Sequence, residues 1–369
     1  MEPNTKHNRT KESLLGQLKG QTLHIPALRP LFSSAWRTSL EAVNPNREQL
    51  KFFMSEKLAT LIEDRKVLEG MKKGDAGLWV TGLFPSANYE TLCLFATYTI
   101  FLFLWDDAID GSDCVTLEDA ERYCTESVEF IEYHLLGGNC NATGEPVAPT
   151  KACELFAEVA RGVKEHVKDE NESRVLFRHV KEYINACLVE YRWRTGAVDD
   201  KSKETMPTIK DFWGWRLGTS SVDVMLDFER VLNGIEVSKG LRESEEMRGM
   251  ERVVNRGFVI INELFSLKKE LRDGALGNLV PVTMHELGVD LDGATKKVVQ
   301  ELDECLKDFD KKAVALQMKA EDEGIRGMVR RLTEAYRAII TGTLNFSIDS
   351  PRYGVLKDQK EDGSFEVEL

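Results

Sequence analysis

What this sequence lacks already narrows its chemistry. It has six histidines in 369 residues, dispersed and without an HExxH pair. The seven cysteines (Cys93, Cys114, Cys124, Cys140, Cys153, Cys187, Cys305) form an odd, scattered set with no CxxC. A disulfide framework or zinc site is therefore not expected, and a reducing, cytoplasmic setting is. No basic block or stripe is present, and 49 Lys+Arg against 62 Asp+Glu leave a net charge of −13, which argues against a nucleic-acid partner. Residues 1–20 are polar and charged, without the apolar core of a secretory signal. The greasiest run, Leu92 to Trp105, spans 14 residues and is broken by Thr97, Tyr98 and Thr99. That is too short for stable membrane insertion and suits a buried core helix. Alternating strand patterns, fixed-period repeats and Pro/Gly/Ser linkers are all missing.

Helical periodicity fills the space these absences leave. The apolar share is 42% and the charged share 30%, a balance typical of a globular protein with ample core material. Apolar residues recur at helical spacing from Asn46 to Lys73, and a turn is expected around Gly82–Pro85. Tyr89–Ile109 reads as a buried helix stopped by Gly111-Ser112-Asp113, and Leu117–Leu136 as another, followed by a loop from Asn139 to Pro149. The pattern continues in Lys151–Lys168, Ser173–Thr195, Thr208–Leu232, Glu245–Leu271, Gly293–Lys319 and Gly324–Phe346. The expected fold is an all-α, single-domain bundle of about ten helices with no sheet. A loose leader (1–25) precedes the domain (26–353), and a tail (354–369) follows it.

Two polar stripes stand out on apolar helices. Asp106-Asp107-Ala108-Ile109-Asp110 closes the greasiest helix. Positions i and i+4 share a helix face, so Asp106 and Asp110 point together while Asp107 lies about 100° around. Like charges there repel and oppose the helix dipole, costs that a hard cation such as Mg²⁺ offsets. Taken alone, a solvated acidic helix end is an equal reading. The second stripe is Asn262, Ser266 and Glu270, at i, i+4 and i+8, embedded among Phe258, Val259, Ile260, Ile261, Leu264 and Phe265. An amide carbonyl, a hydroxyl and a carboxylate in a row make a partial oxygen shell. Asn and Ser are poor choices for a purely structural helix face beside such neighbours.

Occurring together, DDxxD and, about 150 residues later, NxxxSxxKE resemble the paired metal motifs of microbial, fungal-type class I terpene cyclases of the sesquiterpene synthase family. Glu263 stands where aspartate is commonest; it lies off the ligand stripe, so the departure is expected to matter little. Arg216, in Trp215-Arg216-Leu217-Gly218-Thr219-Ser220-Ser221, is similar to the family's diphosphate-sensing arginine, with a helix break to follow for which Gly218 and the small hydroxyl residues are suited. Arg352-Tyr353 resembles the family's closing diphosphate-binding pair, and Lys269 a further diphosphate contact. Phe346 replaces a frequent tryptophan. Phe103, one turn before Asp106, and Phe346 are the expected aromatic wall of a cavity that holds a carbocation.

The resemblance implies a helical bundle around a central apolar cavity and a lyase of secondary metabolism. Asp106 and Asp110 on one wall, and Asn262, Ser266 and Glu270 on the other, would hold Mg²⁺, three ions in all. Farnesyl diphosphate would ionise and cyclise to a sesquiterpene hydrocarbon or alcohol, the protein acting as monomer or homodimer. Asp106, Arg216, Arg352 and Tyr353 are the expected catalytic residues. A trans-prenyltransferase is the enzymatic alternative, but such enzymes usually carry two aspartate-rich motifs. A non-catalytic helical scaffold with acidic cation-binding clusters gives no reason for the placement of Arg216, Arg352 and Tyr353.

Overall fold

Short polar side chains mark most helix starts. Asn88 accepts a hydrogen bond from the Thr91 amide, Thr150 from Cys153, Asp290 from Gly293 and Asp322 from Ile325. Thr116 with Asp119, and Thr208 with Asp211, form reciprocal capping boxes. The computed structural model describes residues 11–111, 114–138, 144–167, 169–197, 205–320 and 322–369. Residues 1–10 of the expected leader, Ser112-Asp113 of the expected stop and 139–143 of the expected loop lie outside the described residues.

In chain order the first helices are α1 (Lys11–Leu18), α2 (Arg37–Glu41), α3 (Arg47–Leu61), α4 (Arg65–Lys73), α5 (Ala76–Leu83) and α6 (Tyr89–Asp110). There follow α7 (Leu117–Leu136), α8 (Lys151–His166), α9 (Glu170–Thr195), α10 (Ile209–Thr219) and α11 (Val222–Leu232). The last are α12 (Lys239–Arg242), α13 (Glu245–Arg272), α14 (Leu279–Leu287), α15 (Leu291–Lys319) and α16 (Glu323–Asp349). Sixteen helices among the described residues thus replace the roughly ten expected, partly because two periodic runs are each broken in two. Asp64 caps a new start after Leu61, accepting from the amides of Lys66 and Val67, and the run from Thr208 breaks between α10 and α11. Helix α13 packs against α15 and α16, α6 against α8, and α7 against α9. Helix α6 is the one helix among the described residues long and apolar enough to cross a membrane, and most of it is buried inside the bundle.

Three expectations need correction. The turn expected around Gly82–Pro85 falls later, at Pro85-Ser86, because α5 runs on through Gly82; a Cβ on Gly342 of α16 would lie 2.5 Å from the Gly82 carbonyl. The two glycines let these helices cross backbone to backbone, which periodicity along one segment does not reveal. A sheet is present, small but paired. Strand β1 (Thr22–Ile25) runs antiparallel to β2 (Phe365–Glu368), with Leu23 opposite Val367. Residues 11–25 and 354–369 are accordingly neither loose leader nor tail. Leu14, Leu18, Leu23, Val355, Phe365 and Val367 all join the same hydrophobic core as the bundle, because β1 and β2 each alternate buried with exposed residues over it.

Candidate active site

The acidic end of α6 and the C-terminal half of α13 open onto one cleft of about 640 Å³, completed by α9, α10 and the segment after α16. Asp106, Asp110, Arg216, Lys269, Glu270 and Arg352 line it. Of the remaining expected ligands, Asn262 lies directly behind Arg216. Its amide oxygen accepts from Arg216 Nη2 at 2.9 Å and its amino group donates to the Tyr353 hydroxyl at 2.9 Å. Ser266, one turn on, is 3% exposed and its hydroxyl has no hydrogen-bond partner. A buried orphan oxygen is costly, and it falls on the stripe where a cation would take it up. Glu270 accepts from the Asn278 amide at 3.0 Å.

The electrostatics of the α6 wall are unfavourable without a cation. Asp106 is exposed, though into the cleft, whose enclosing walls push its carboxyl above the ordinary range. Asp110, Glu190 and Asp107 push the same way, and Arg216 pulls back. Burial also raises Asp107, with Arg352 and Lys269 opposing. Asp110 has a partner that sequence reasoning missed, Arg194 Nη2 at 2.5 Å. Glu190, one helical turn before Arg194 on α9, is a further carboxylate in the cleft, raised first by burial and drawn down by Arg216.

Glu263 matters more than its place off the stripe suggested. It is 1% exposed and accepts from Arg216 Nε at 2.8 Å and from the Leu279 backbone at 3.0 Å, the first residue of α14. Burial first, and then the neighbouring Glu270, push its carboxyl up to about 7, and Arg216 opposes them. Two donors on one buried group describe an ionised carboxylate beside a guanidinium that stays charged. Asn278, fully buried, ties this corner together by donating to the Glu263 carbonyl as well as to Glu270.

The break after Arg216 is present, but not through Gly218. That glycine is helical, and a Cβ there would meet Ala186 Cβ at 2.4 Å, so its smallness serves the contact with α9. The turn itself falls on Ser221, whose φ of 56° is the left-handed region that a non-glycine residue adopts at a cost. The Tyr98 hydroxyl, 2.6 Å from Ser221 Oγ, and Ser220 Oγ, donating to Asn255 at 2.8 Å, hold it there.

Next to the charged cleft lies a small apolar pocket of about 30 Å³ lined by Met54, Leu58, Met71, Ile100, Phe103 and Phe346, with Arg352 at its edge. Phe103 and Phe346 are brought together by Trp79, whose ring stacks on Phe103 (centroids 5.7 Å, 22°) and tilts on Phe346 (6.1 Å). Tyr353 meets Phe346 edge-on at 5.9 Å, and the Arg352 guanidinium sits 5.3 Å over Phe103. Trp79 was hidden in a segment expected to run into a turn.

The donor types fit a hard divalent cation. Among the described residues no three His, Cys, Asp or Glu side chains are gathered tightly enough to hold a metal by themselves. One-sided oxygen shells of this kind suit Mg²⁺, which keeps several positions for water and phosphate. A family profile described as "Terpene synthase family 2, C-terminal metal binding" matches residues 97–308, spanning both stripes. The chain belongs to this family. It is a class I terpene synthase, and its relatives bear this out. Sesquiterpene cyclase hepA of Aspergillus oryzae is 24% identical over 312 residues, 83% of this chain and 81% of the relative. The 10-epi-cubebol synthase of Sorangium cellulosum is 24% identical over 270 residues, 73% of this chain and 80% of the relative. Relatives in both fungi and bacteria leave no ground for a specifically fungal type. Among solved structures, α-eudesmol synthase shares the fold with a TM-score of 0.71 at 18% identity, covering 84% of this chain and 96% of that one.

Proposed function

We propose that this terpene synthase ionises farnesyl diphosphate with the help of Mg²⁺ and cyclises the resulting cation to a sesquiterpene hydrocarbon or alcohol. The observation that carries the reading is the position of Arg352. It borders both the charged cleft and the aromatic pocket, so a substrate with a diphosphate head and an apolar tail has both ends provided for on either side of one residue. The name of the hepA relative, a sesquiterpene cyclase, supports a fifteen-carbon substrate.

Asp106 and Asp110 on α6, and Asn262, Ser266 and Glu270 on α13, would hold the metal. Bound Mg²⁺ supplies positive charge to the diphosphate oxygens and to the charge that develops on the leaving group; the family resemblance implies three ions. Arg216, Lys269, Arg352 and Tyr353 add donors to the same oxygens, which explains how an acidic protein receives an anion. Phe103 and Phe346 present aromatic faces to the hydrocarbon and exclude water from it. The apolar pocket is far smaller than a fifteen-carbon chain, so substrate must enter by displacing side chains such as Phe103, Phe346 and Met71. The released diphosphate is the available base for the last proton. The setting is a reducing cytoplasm, in keeping with cysteines scattered along the chain without any CxxC pair, and the active unit is a monomer or homodimer.

Incubation with Mg²⁺ and farnesyl diphosphate, with and without isopentenyl diphosphate, followed by gas chromatography, tests the proposal. Cyclic fifteen-carbon products without isopentenyl diphosphate are expected. Elongated products only in its presence would assign a prenyltransferase, and no diphosphate release under either condition would leave a non-catalytic scaffold.

A further inference from the structure

Helix α1, expected to be loose, forms part of the cleft wall. Lys11, Glu12 and Leu15 line the same space as Asp106, Arg216 and Glu270. The helix is anchored on its other face by Leu14 and Leu18, both fully buried. Beyond it, the Gly20 amide donates to the Leu369 carbonyl (3.0 Å) and the Leu369 amide to the Gln21 carbonyl (2.9 Å), and the β1–β2 ladder continues the pairing. An eight-residue helix has little stability of its own; these contacts fix its orientation, and with it the place of its first residue.

The Lys11 ammonium lies 3.9 Å from the centroid of the Trp193 ring. Trp193 in turn stacks on Trp215 (5.4 Å, 23°), the residue before Arg216. This stack gives Lys11 a defined position on the rim beside α9 and the segment 273–277, which also line the cleft. An aromatic face attracts a cation through the negative potential over its ring. Seven carboxylates and five cationic side chains line the cleft, so each lysine or arginine there weighs heavily on whether an anion is accepted.

We propose that Lys11 is a further diphosphate-binding residue, delivered to the cleft by α1 and its paired strands. The assignment rests on the reading of this cleft as the diphosphate site. Burial in the rim pulls the Lys11 ammonium below the usual lysine range, and an anion arriving in the cleft offsets that pull. Leu15, one turn further along α1, closes the same edge with apolar surface, so the helix both contributes a charge and narrows the opening to water.

The test compares wild type with Lys11→Gln, Lys11→Arg and, as a control, Lys19→Gln, which alters an exposed lysine just past α1 that does not line the cleft. Two readouts are used: the rise in thermal midpoint produced by inorganic diphosphate with Mg²⁺, and the kcat and KM for farnesyl diphosphate. Loss of one charge-assisted contact should raise both KM and the diphosphate concentration for half-maximal protection roughly tenfold in Lys11→Gln. Lys11→Arg should recover most of this, and Lys19→Gln should match wild type. A residue that merely packs on Trp193 would lower the midpoint without diphosphate and leave both concentrations unchanged. Such a result, or an Lys11→Arg variant no better than Lys11→Gln, overturns the proposal. Absence of any protection in the wild type sinks the diphosphate reading itself, and this assignment with it; normal wild-type protection retained in Lys11→Gln sinks the assignment alone.

Discussion

The two walls of the cleft are built in opposite ways. On α13 the polar groups other than the Ser266 hydroxyl are held by neighbours. Asn262 is bonded on both sides of its amide, Glu263 takes two donors, and Glu270 is fixed by Asn278. On α6 the carboxylates crowd each other at the negative end of the helix dipole, and Asp106 is left facing Asp110 and Glu190. One wall is pre-organised and the other is poised. A ligand atom held in place costs little when a cation arrives, whereas a repelling cluster gains most from that arrival. On the proposed reading the two tasks divide: α13 would fix where the metal goes, and α6 would make its presence favourable.

Breaking the ordered wall should have the largest effect. Asn262→Ala or Glu270→Ala should cut turnover by 10²-fold or more, on the scale of misplacing reacting groups by about 1 Å, while circular dichroism and thermal midpoint stay close to wild type. Unchanged product formation with Mg²⁺ present would reduce the stripe to a helix face.

Relieving the poised wall should separate activity from stability. Asp106→Asn should also lose turnover, yet be more stable than wild type in a chelator at alkaline pH. Enclosure, with Asp110 and Glu190 beside it, raises the folded-state affinity of Asp106 for a proton above that of the unfolded chain, which titrates at about 4. The stability associated with that proton is complete below about pH 4 and is lost as pH rises through the raised folded range. The variant removes this slope, so its midpoint should gain on the wild type as pH increases from 5 to 8. Parallel midpoint curves would mean that the cluster carries no repulsion worth relieving.

The two walls also differ in how far they could be read in advance. Asp106, Asp110, Asn262, Ser266 and Glu270 lie at helical spacings, and such spacings fix which residues share a face before any tertiary contact is known. The helix holding the first pair was equally plain: an apolar run fills it and Gly111 ends it. What the pattern could not carry was pairing between distant segments. Glu263 meets Arg216 across 47 positions, and Arg194 meets Asp110 from another helix. Trp79 joins Phe103 to Phe346 from a helix that short-range turn signals disguised. Lys11 was set aside with a polar leader whose order comes from a strand more than three hundred residues away. Helical periodicity describes one element at a time, and these contacts belong to none.

The smallest expected effect sharpens the comparison from its apolar side. Phe346 is 5% exposed, lines the pocket with Phe103, and meets Trp79 at 6.1 Å and Tyr353 at 5.9 Å. If it faces the migrating cation, its ring contributes a cation–π attraction of about 2 kcal/mol when desolvated. Phe346→Leu keeps most of the volume and removes the π face, so packing should suffer by less than roughly 1.5 kcal/mol. Neither wall of the cleft is touched, so Mg²⁺ and diphosphate should protect the variant as they do the wild type. Ionisation should therefore proceed, and the change should appear only afterwards, as a shift from fully cyclised products towards species quenched earlier. A purely structural phenylalanine predicts the reverse combination, a lower thermal midpoint with the same products in the same ratio. Chromatograms of the two proteins run side by side separate these outcomes, and identical profiles would place Phe346 in the packing between Trp79 and Tyr353 alone.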